Sequence, residues 1–225
     1  MKTGFINKTT KKQGNYLFLL IALLALIVIG PLLSEHFKIG SRFFLQATFA
    51  AVMFIGVWTL NAEHFWFRVG IGLALTAFIL AAVNYFLASK IIFLTGLMAS
   101  FLFLIFSTYL AFNHILFSGK VTGNKIVGSL CIYLLIGVIW SLIYIFIAAT
   151  HPDAFTNIPP FTEYSHMWEY LYFSFVTLTT LGYGDISPAI PLAKTWAFLE
   201  AICGQFYLAI LVASLVGTYI SDHKK

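Results

Sequence analysis

Residues 164–185 read YSHMWEYLYFSFVTLTTLGYGD. The first part, Tyr164–Leu178, is apolar and aromatic, but shorter than the roughly 20 residues that a helix needs to cross a bilayer. The second part, Thr179–Asp185, places glycine at alternate positions, Gly182 and Gly184, around Tyr183. A full-length apolar run, Thr195–Ile220, follows. Non-helical backbone at membrane depth is tolerated only where protein buries it or where it lines a water-filled path. The stretch therefore reads as a re-entrant helix followed by a strand beside such a path. Thr162 or Ser165 can cap that helix. Glu163 and Glu169 lie near its first turns, where the helix dipole favours negative charge.

Composition supports a membrane setting. The chain has 225 residues, of which 60% are hydrophobic and only 9% charged, against about 25% charge in an ordinary soluble domain. The net charge of +5 is not a nucleic-acid patch, because the basic residues stand at the ends of apolar runs, as membrane anchors do. Cys131 and Cys203 lie inside apolar runs. They read as small packing residues, not as a disulfide or zinc framework.

Apolar runs of spanning length fall at Tyr16–Leu33, Phe43–Leu60, Val69–Ala88, Ile91–Phe112, Ile126–Ala149 and Thr195–Ile220. The first follows Lys2, Lys8, Lys11 and Lys12. It is longer than a signal-peptide core and has no Ala-x-Ala site after it, so it reads as a retained span. Continuous rather than alternating apolar character favours helices over a β-barrel. With the N-terminus in the cytoplasm, only Lys38, Arg42, Lys90 and Lys194 fall outside. The positive-inside bias then places both termini in the cytoplasm and residues 179–185 on the outer side.

Thr-Leu-Gly-Tyr-Gly at 180–184 resembles the selectivity filter of tetrameric potassium channels, in which the second residue is most often Val and here is Leu181. The resemblance covers roughly residues 126–220 and is strongest over Tyr170–Pro188. It implies that the carbonyls of Thr180, Leu181, Gly182 and Tyr183, with the Thr180 hydroxyl, replace the water shell of K+. Carbonyls that all point one way need left-handed backbone at alternate residues, which glycine adopts without a Cβ clash. Leu181 and Tyr183 would point away from the path, with Tyr183 packed on the re-entrant helix. Asp185 would form a cation-concentrating ring at the outer mouth. Many members carry a Trp pair on the re-entrant helix, one of which hydrogen-bonds the mouth Asp. Here the aligned residues are Tyr172 and Phe173, and the Tyr172 hydroxyl is the candidate donor to Asp185. Val176 stands where some members have Glu. Thr179 completes the expected filter support.

In the last span, Gly204 aligns with the glycine that serves as a gating hinge in the family. Close helix packing is the alternative role. Ala201, Gln205, Leu208 and Val212 share one helical face and are candidates for the cavity lining. Glu200 lies several residues inside the span. Intramembrane carboxylates are costly and mark function by default. Structural support of the filter is its expected role, with proton-sensitive gating and an interfacial position as alternatives.

Six spans with a filter also resemble voltage-gated channels, but Ile91–Phe112 holds no Lys or Arg, so steep voltage dependence is not expected. Glu35, Lys38, Arg42, Glu63 and Arg68 read as solvated or headgroup charges. The histidines are scattered, and no nucleophile–base pair or phosphate-cradling loop is present, so an enzyme is not expected. After Ile220 only Ser-Asp-His-Lys-Lys remains, and no soluble regulatory domain is expected on this chain.

The expected fold is an all-α membrane protein: six transmembrane helices, with a re-entrant pore helix and filter between the fifth and sixth. Residues 1–115 would form a four-helix bundle, 116–125 a linker and 126–225 a pore domain. The expected function is passive, K+-selective conduction by a homotetramer in the plasma membrane. K+ is the permeant ion, the lipid bilayer the surrounding partner, and neither a cofactor nor nucleic acid is involved. A weakly selective cation channel, and a potassium transporter or scaffold subunit, are the alternatives.

Overall fold

A computed structural model describes residues 16–36, 64–87, 89–116, 122–159 and 166–223. In chain order these form α1 (Tyr16–His36), α2 (His64–Leu87), α3 (Lys90–Leu116), α4 (Gly123–Thr150), β1 (Phe155–Thr156), α5 (Met167–Leu178), β2 (Ser187–Pro188) and α6 (Pro191–His223). The expected second span, Phe43–Leu60, lies outside the described residues, as do Thr162, Glu163 and Ser165.

Among the described residues, three helices are long and apolar enough to cross a membrane, through Lys90–Asn113, Gly123–Thr150 and Pro191–Ser214. Tyr16–Leu32 and Arg68–Asn84 are shorter apolar stretches. Helices suit such sequences because every backbone group finds its partner within the segment. Some of the polar side chains follow the same logic. Ser129 and Ser141 turn their hydroxyls back onto the carbonyls of Ile126 and Val138, each at 2.7 Å, and so leave no polar atom facing hydrocarbon.

Helix α4 is the hub, packed by α1, α3, α5 and α6. Its buried residues Gly128, Cys131, Leu135, Val138, Leu142, Ile145 and Ala149 recur at alternating steps of three and four, the pattern of nearly parallel helix packing. Helix α1 answers with buried Tyr16, Leu19, Leu23 and Leu26 at the same steps. The two run in the same direction. Near the start of both, the Tyr16 backbone N–H donates to Asn124 Oδ1 at 3.1 Å, and Cys131 Sγ lies 3.5 Å from the Tyr16 carbonyl oxygen. Near the other end of α1, a Cβ on Gly30 would collide with the Trp168 ring of α5.

Helices α2 and α3 form an antiparallel pair closed by a short turn. The Ser89 N–H donates to Asn84 Oδ1 at 3.0 Å, and Gly96 faces Leu80. Helices α3 and α4 are likewise antiparallel, with Ile115 against Gly128. It follows that α1, α2 and α4 share one direction.

Between α4 and α5, the connector makes a two-stranded antiparallel sheet with the segment before α6, pairing Phe155 with Pro188 and Thr156 with Ser187. The Ala189 N–H extends the ladder to the Ala154 carbonyl at 2.8 Å. Phe155 is buried against the rings of Tyr144, Tyr170 and Phe173, with centroids 5.4–5.6 Å away in edge-on arrangements. Such pairs add about 0.5–1.5 kcal/mol beyond area burial.

Candidate functional site

Helix α5 has 12 residues. It starts after His166, whose φ is 63°, and carries Glu169 in its first turn. It ends where Thr179 caps it: the Thr179 N–H donates to the Phe175 carbonyl at 3.0 Å and its hydroxyl to the same oxygen at 2.6 Å. The N–H groups of Leu181 and Gly182 then turn back to the Val176 carbonyl, at 3.0 and 3.3 Å. The last carbonyls of the helix are thus satisfied by the strand that leaves it.

Along that strand the backbone alternates. Thr180, Gly182 and Gly184 have φ of 60°, 58° and 78°, whereas Leu181 and Tyr183 do not lie in the left-handed region. Glycine accounts for two of the three. Thr180 is the exception, since a β-branched residue is strained there. Its hydroxyl is held from two sides. It donates to the Thr179 carbonyl at 2.7 Å and accepts from Gln205 Nε2 at 3.2 Å. Sequence reading expected left-handed backbone only at the glycines, because nothing in the neighbouring residues signals a strained threonine.

Leu181 and Tyr183 are 58% and 68% exposed on the single chain. Tyr183 is therefore largely uncovered on the single chain. Just past Gly184, the Tyr172 hydroxyl donates to Asp185 Oδ2 at 2.7 Å, and Asn157 Nδ2 donates to the Asp185 backbone carbonyl at 2.7 Å. The Tyr172 hydroxyl holds the Asp185 carboxyl below the usual carboxylate range. Phe173 faces the other way, buried against Tyr144 with centroids 4.9 Å apart.

Glu200 is fully buried. It accepts hydrogen bonds from the Tyr144 hydroxyl of α4 and, at 2.5 Å, from Ser174 Oγ of α5. Ser174 Oγ also stands 2.8 Å from the Gly137 carbonyl. One carboxyl group thus ties together the three helices around the strand. Tyr144 and Ser174 were not foreseen as its partners, since both are distant in sequence and neither belongs to a motif. Gly204 sits where a Cβ would collide with the Leu178 carbonyl oxygen, so α6 approaches the end of α5 as closely as backbone allows. Tyr133 adds a 3.4 Å hydrogen bond to the same carbonyl. Leu208 and Val212 are exposed on the single chain. Of the candidate lining residues, only Gln205 is brought to the strand.

Comparison with known proteins bears on the same part of the chain. Residues 130–221 match the family model described as "Ion channel". Over 103 residues the chain is 29% identical to the voltage-gated potassium channel regulatory subunit KCNF1 of Rattus norvegicus, covering 45% of this chain and 19% of that protein. It is 44% identical over 52 residues to the two pore potassium channel c of Oryza sativa subsp. japonica, covering 23% of this chain and 11% of that one. It is 49% identical over 45 residues to the inward rectifier potassium channel Kirbac3.1 of Paramagnetospirillum magnetotacticum, covering 20% of this chain and 15% of that one.

Residues 130–221 are thus similar to an ion-channel family, and the relatives that overlap this part of the chain are named potassium channel proteins. The matched model describes ion channels, not an enzyme class. The chain spans only about a fifth or less of the length of these relatives. No solved structure matches it. Within the matched residues lie α5, the alternating strand, Glu200, Gly204 and Gln205.

Proposed function

We propose that four copies of this chain surround one axis and conduct K+ passively and selectively through the strand Thr180–Gly184. The observation that carries this is the alternation of left-handed backbone at Thr180, Gly182 and Gly184. Alternation turns successive carbonyls to one side, as an oxygen-lined ion path needs. One strand cannot encircle an ion, so fourfold cyclic assembly is part of the proposal. The exposure of Leu181 and Tyr183 supports it, because both would be covered by neighbouring copies.

In this reading the carbonyls of Thr180, Leu181, Gly182 and Tyr183 coordinate K+, with Gly184 ending the strand. Asp185 concentrates cations at the mouth. Tyr172, Phe173, Thr179 and Glu200 support the strand, while Gln205, Leu208 and Val212 line the cavity below it. Bending at Gly204 would open and close that cavity. K+ is cargo, and no cofactor is needed. Helix α5 is the re-entrant pore helix between a fifth and a sixth span. The shared direction of α1, α2 and α4 supports the six-span topology, since a chain leaving α1 must reach the opposite end of the bundle to begin α2. Residues 1–115, 116–125 and 126–225 are proposed as bundle, linker and pore domain. The plasma membrane, with both termini cytoplasmic, is the proposed setting. Steep voltage dependence is absent, because Ile91–Phe112 carries no Lys or Arg.

A second reading, a subunit that works only beside other chains, has one point in its favour: KCNF1 is named a regulatory subunit. Reversal potentials of the purified chain in liposomes under K+ and Na+ gradients test both. K+-selective current from the chain alone supports the first reading. Equal treatment of Na+ and K+ ends it, and current only with a second chain favours the other.

A further inference from the structure

Four strands of carbonyl oxygens facing one axis repel each other. Cations between them offset that repulsion; when cations are scarce, the strand keeps its shape only through bonds on its outer side. At the outer end those bonds converge on Asp185, the residue after Gly184. Its carboxylate is held by Tyr172 of α5, and its backbone carbonyl by the Asn157 side chain, each at 2.7 Å.

Asn157 does not belong to the pore-helix unit. It follows β1 in the connector after α4, and the connector is firmly seated. Phe155 plugs into the cluster of Tyr144, Tyr170 and Phe173. Thr156 Oγ1 lies 2.6 Å from Ser187 Oγ and 3.2 Å from the Ser187 carbonyl. The Ala189 N–H reaches the Ala154 carbonyl. Asn157 itself has φ of 62°, a left-handed conformation that Asn enters more readily than most residues. Its backbone turn and its amide thus serve one end: together they bring a donor from a fixed strap to the peptide just past Gly184.

We propose that Asn157 is a positioning residue of the ion path. Its amide, delivered by the β1 strap, holds the Asp185 carbonyl and keeps the outer end of Thr180–Gly184 open when few K+ ions occupy it. This rests on the K+-conducting reading of the same strand.

The test uses the full-length purified protein in planar bilayers, as wild type, Asn157→Gly, Asn157→Asp and Thr156→Val. Asn157→Gly keeps the left-handed backbone and removes the amide. Asn157→Asp keeps the shape and puts an acceptor where the donor was. Thr156→Val removes the hydroxyl contacts and leaves the Asn157 amide in place. With abundant external K+, all four carry similar current. With external K+ replaced by N-methyl-D-glucamine, current through both Asn157 variants decays about fivefold faster than wild type, the effect of one lost hydrogen bond. Returning K+ restores it, and Thr156→Val follows wild type. Decay rates in Asn157→Gly equal to wild type overturn the inference and leave conduction standing; so does a loss that K+ does not restore. A wild type without K+ current overturns conduction and this inference together.

Discussion

Helices α4 and α6 flank the same strand but are covered in opposite ways. Along α4, residues at alternating three- and four-residue steps are buried by α1, α3 and α5 of its own chain. Along α6, Ala193, Glu200 and Gly204 are buried, while Phe198, Ile202, Phe206 and Ile210 are exposed. Helix α4 is finished within one chain. Helix α6 is pinned to its own chain at a few points and keeps an apolar stripe for other surfaces. A carboxyl group and a bare glycine make those pins, so here polarity and the lack of a side chain matter more than apolar bulk.

Removing the carboxyl pin should have the largest effect. Glu200→Ala leaves the Tyr144 hydroxyl buried without its acceptor, leaves Ser174 only the Gly137 carbonyl, and opens a cavity. About 2–5 kcal/mol of stability should be lost, read as a lower Tm in detergent. Glu200→Gln keeps an acceptor and should recover most of it. Gly204→Ala should come next, since its Cβ meets a backbone carbonyl that cannot swing away. The expected loss is about 1–3 kcal/mol, and a Tm equal to wild type would dissolve the glycine pin.

The exposed stripe sharpens the contrast. Phe206→Ala should weaken the proposed association between copies, seen as a loss of cross-linked oligomers, by about 1–3 kcal/mol per site. Leu130→Ala on the exposed side of α4 should not. Equal effects of the two would remove the distinction between the helices.

The smallest change should come at the mouth, from Tyr172→Phe. Asp185 is held below its ordinary range chiefly by the Tyr172 hydroxyl. Its contribution is therefore present above the unfolded carboxylate value and is lost as pH falls through the lower folded one. Without the donor, Asp185 protonates at higher pH. The acid limb of K+ current measured against external pH should move upward, and an unmoved limb would separate the tyrosine from the carboxylate.

Apolar runs located α3, α4 and α6 within a few residues, because hydrocarbon demands length and continuity and both are visible in one dimension. Glycine spacing pointed to alternating backbone at Gly182 and Gly184, since only backbone handedness was at stake. Tyr172 and Asp185 were paired by resemblance, and they stand 2.7 Å apart. Other contacts were not legible. The Glu200 partners, the Asn157 strap and the strained Thr180 depend on which residue stands opposite across helices and loops, and neither periodicity nor composition encodes that. The seat of α1 against α4 was hidden for the same reason: a stripe of Tyr16, Leu19, Leu23 and Leu26 says that a partner exists, not which one.

That seat has a consequence for biosynthesis. Tyr16 and Asn124 are 108 positions apart, so α1 leaves the ribosome long before its partner is made. The α2–α3 hairpin is made in between, and α1 reaches its seat only when α4 arrives to receive it. Lipid tails are as apolar as leucine and give α1 little reason to choose early. The shape match of Gly30 to Trp168 and of Gly128 to Tyr16 then decides where α1 finally docks, and the half of the molecule that carries the alternating strand is completed by a helix made long before it.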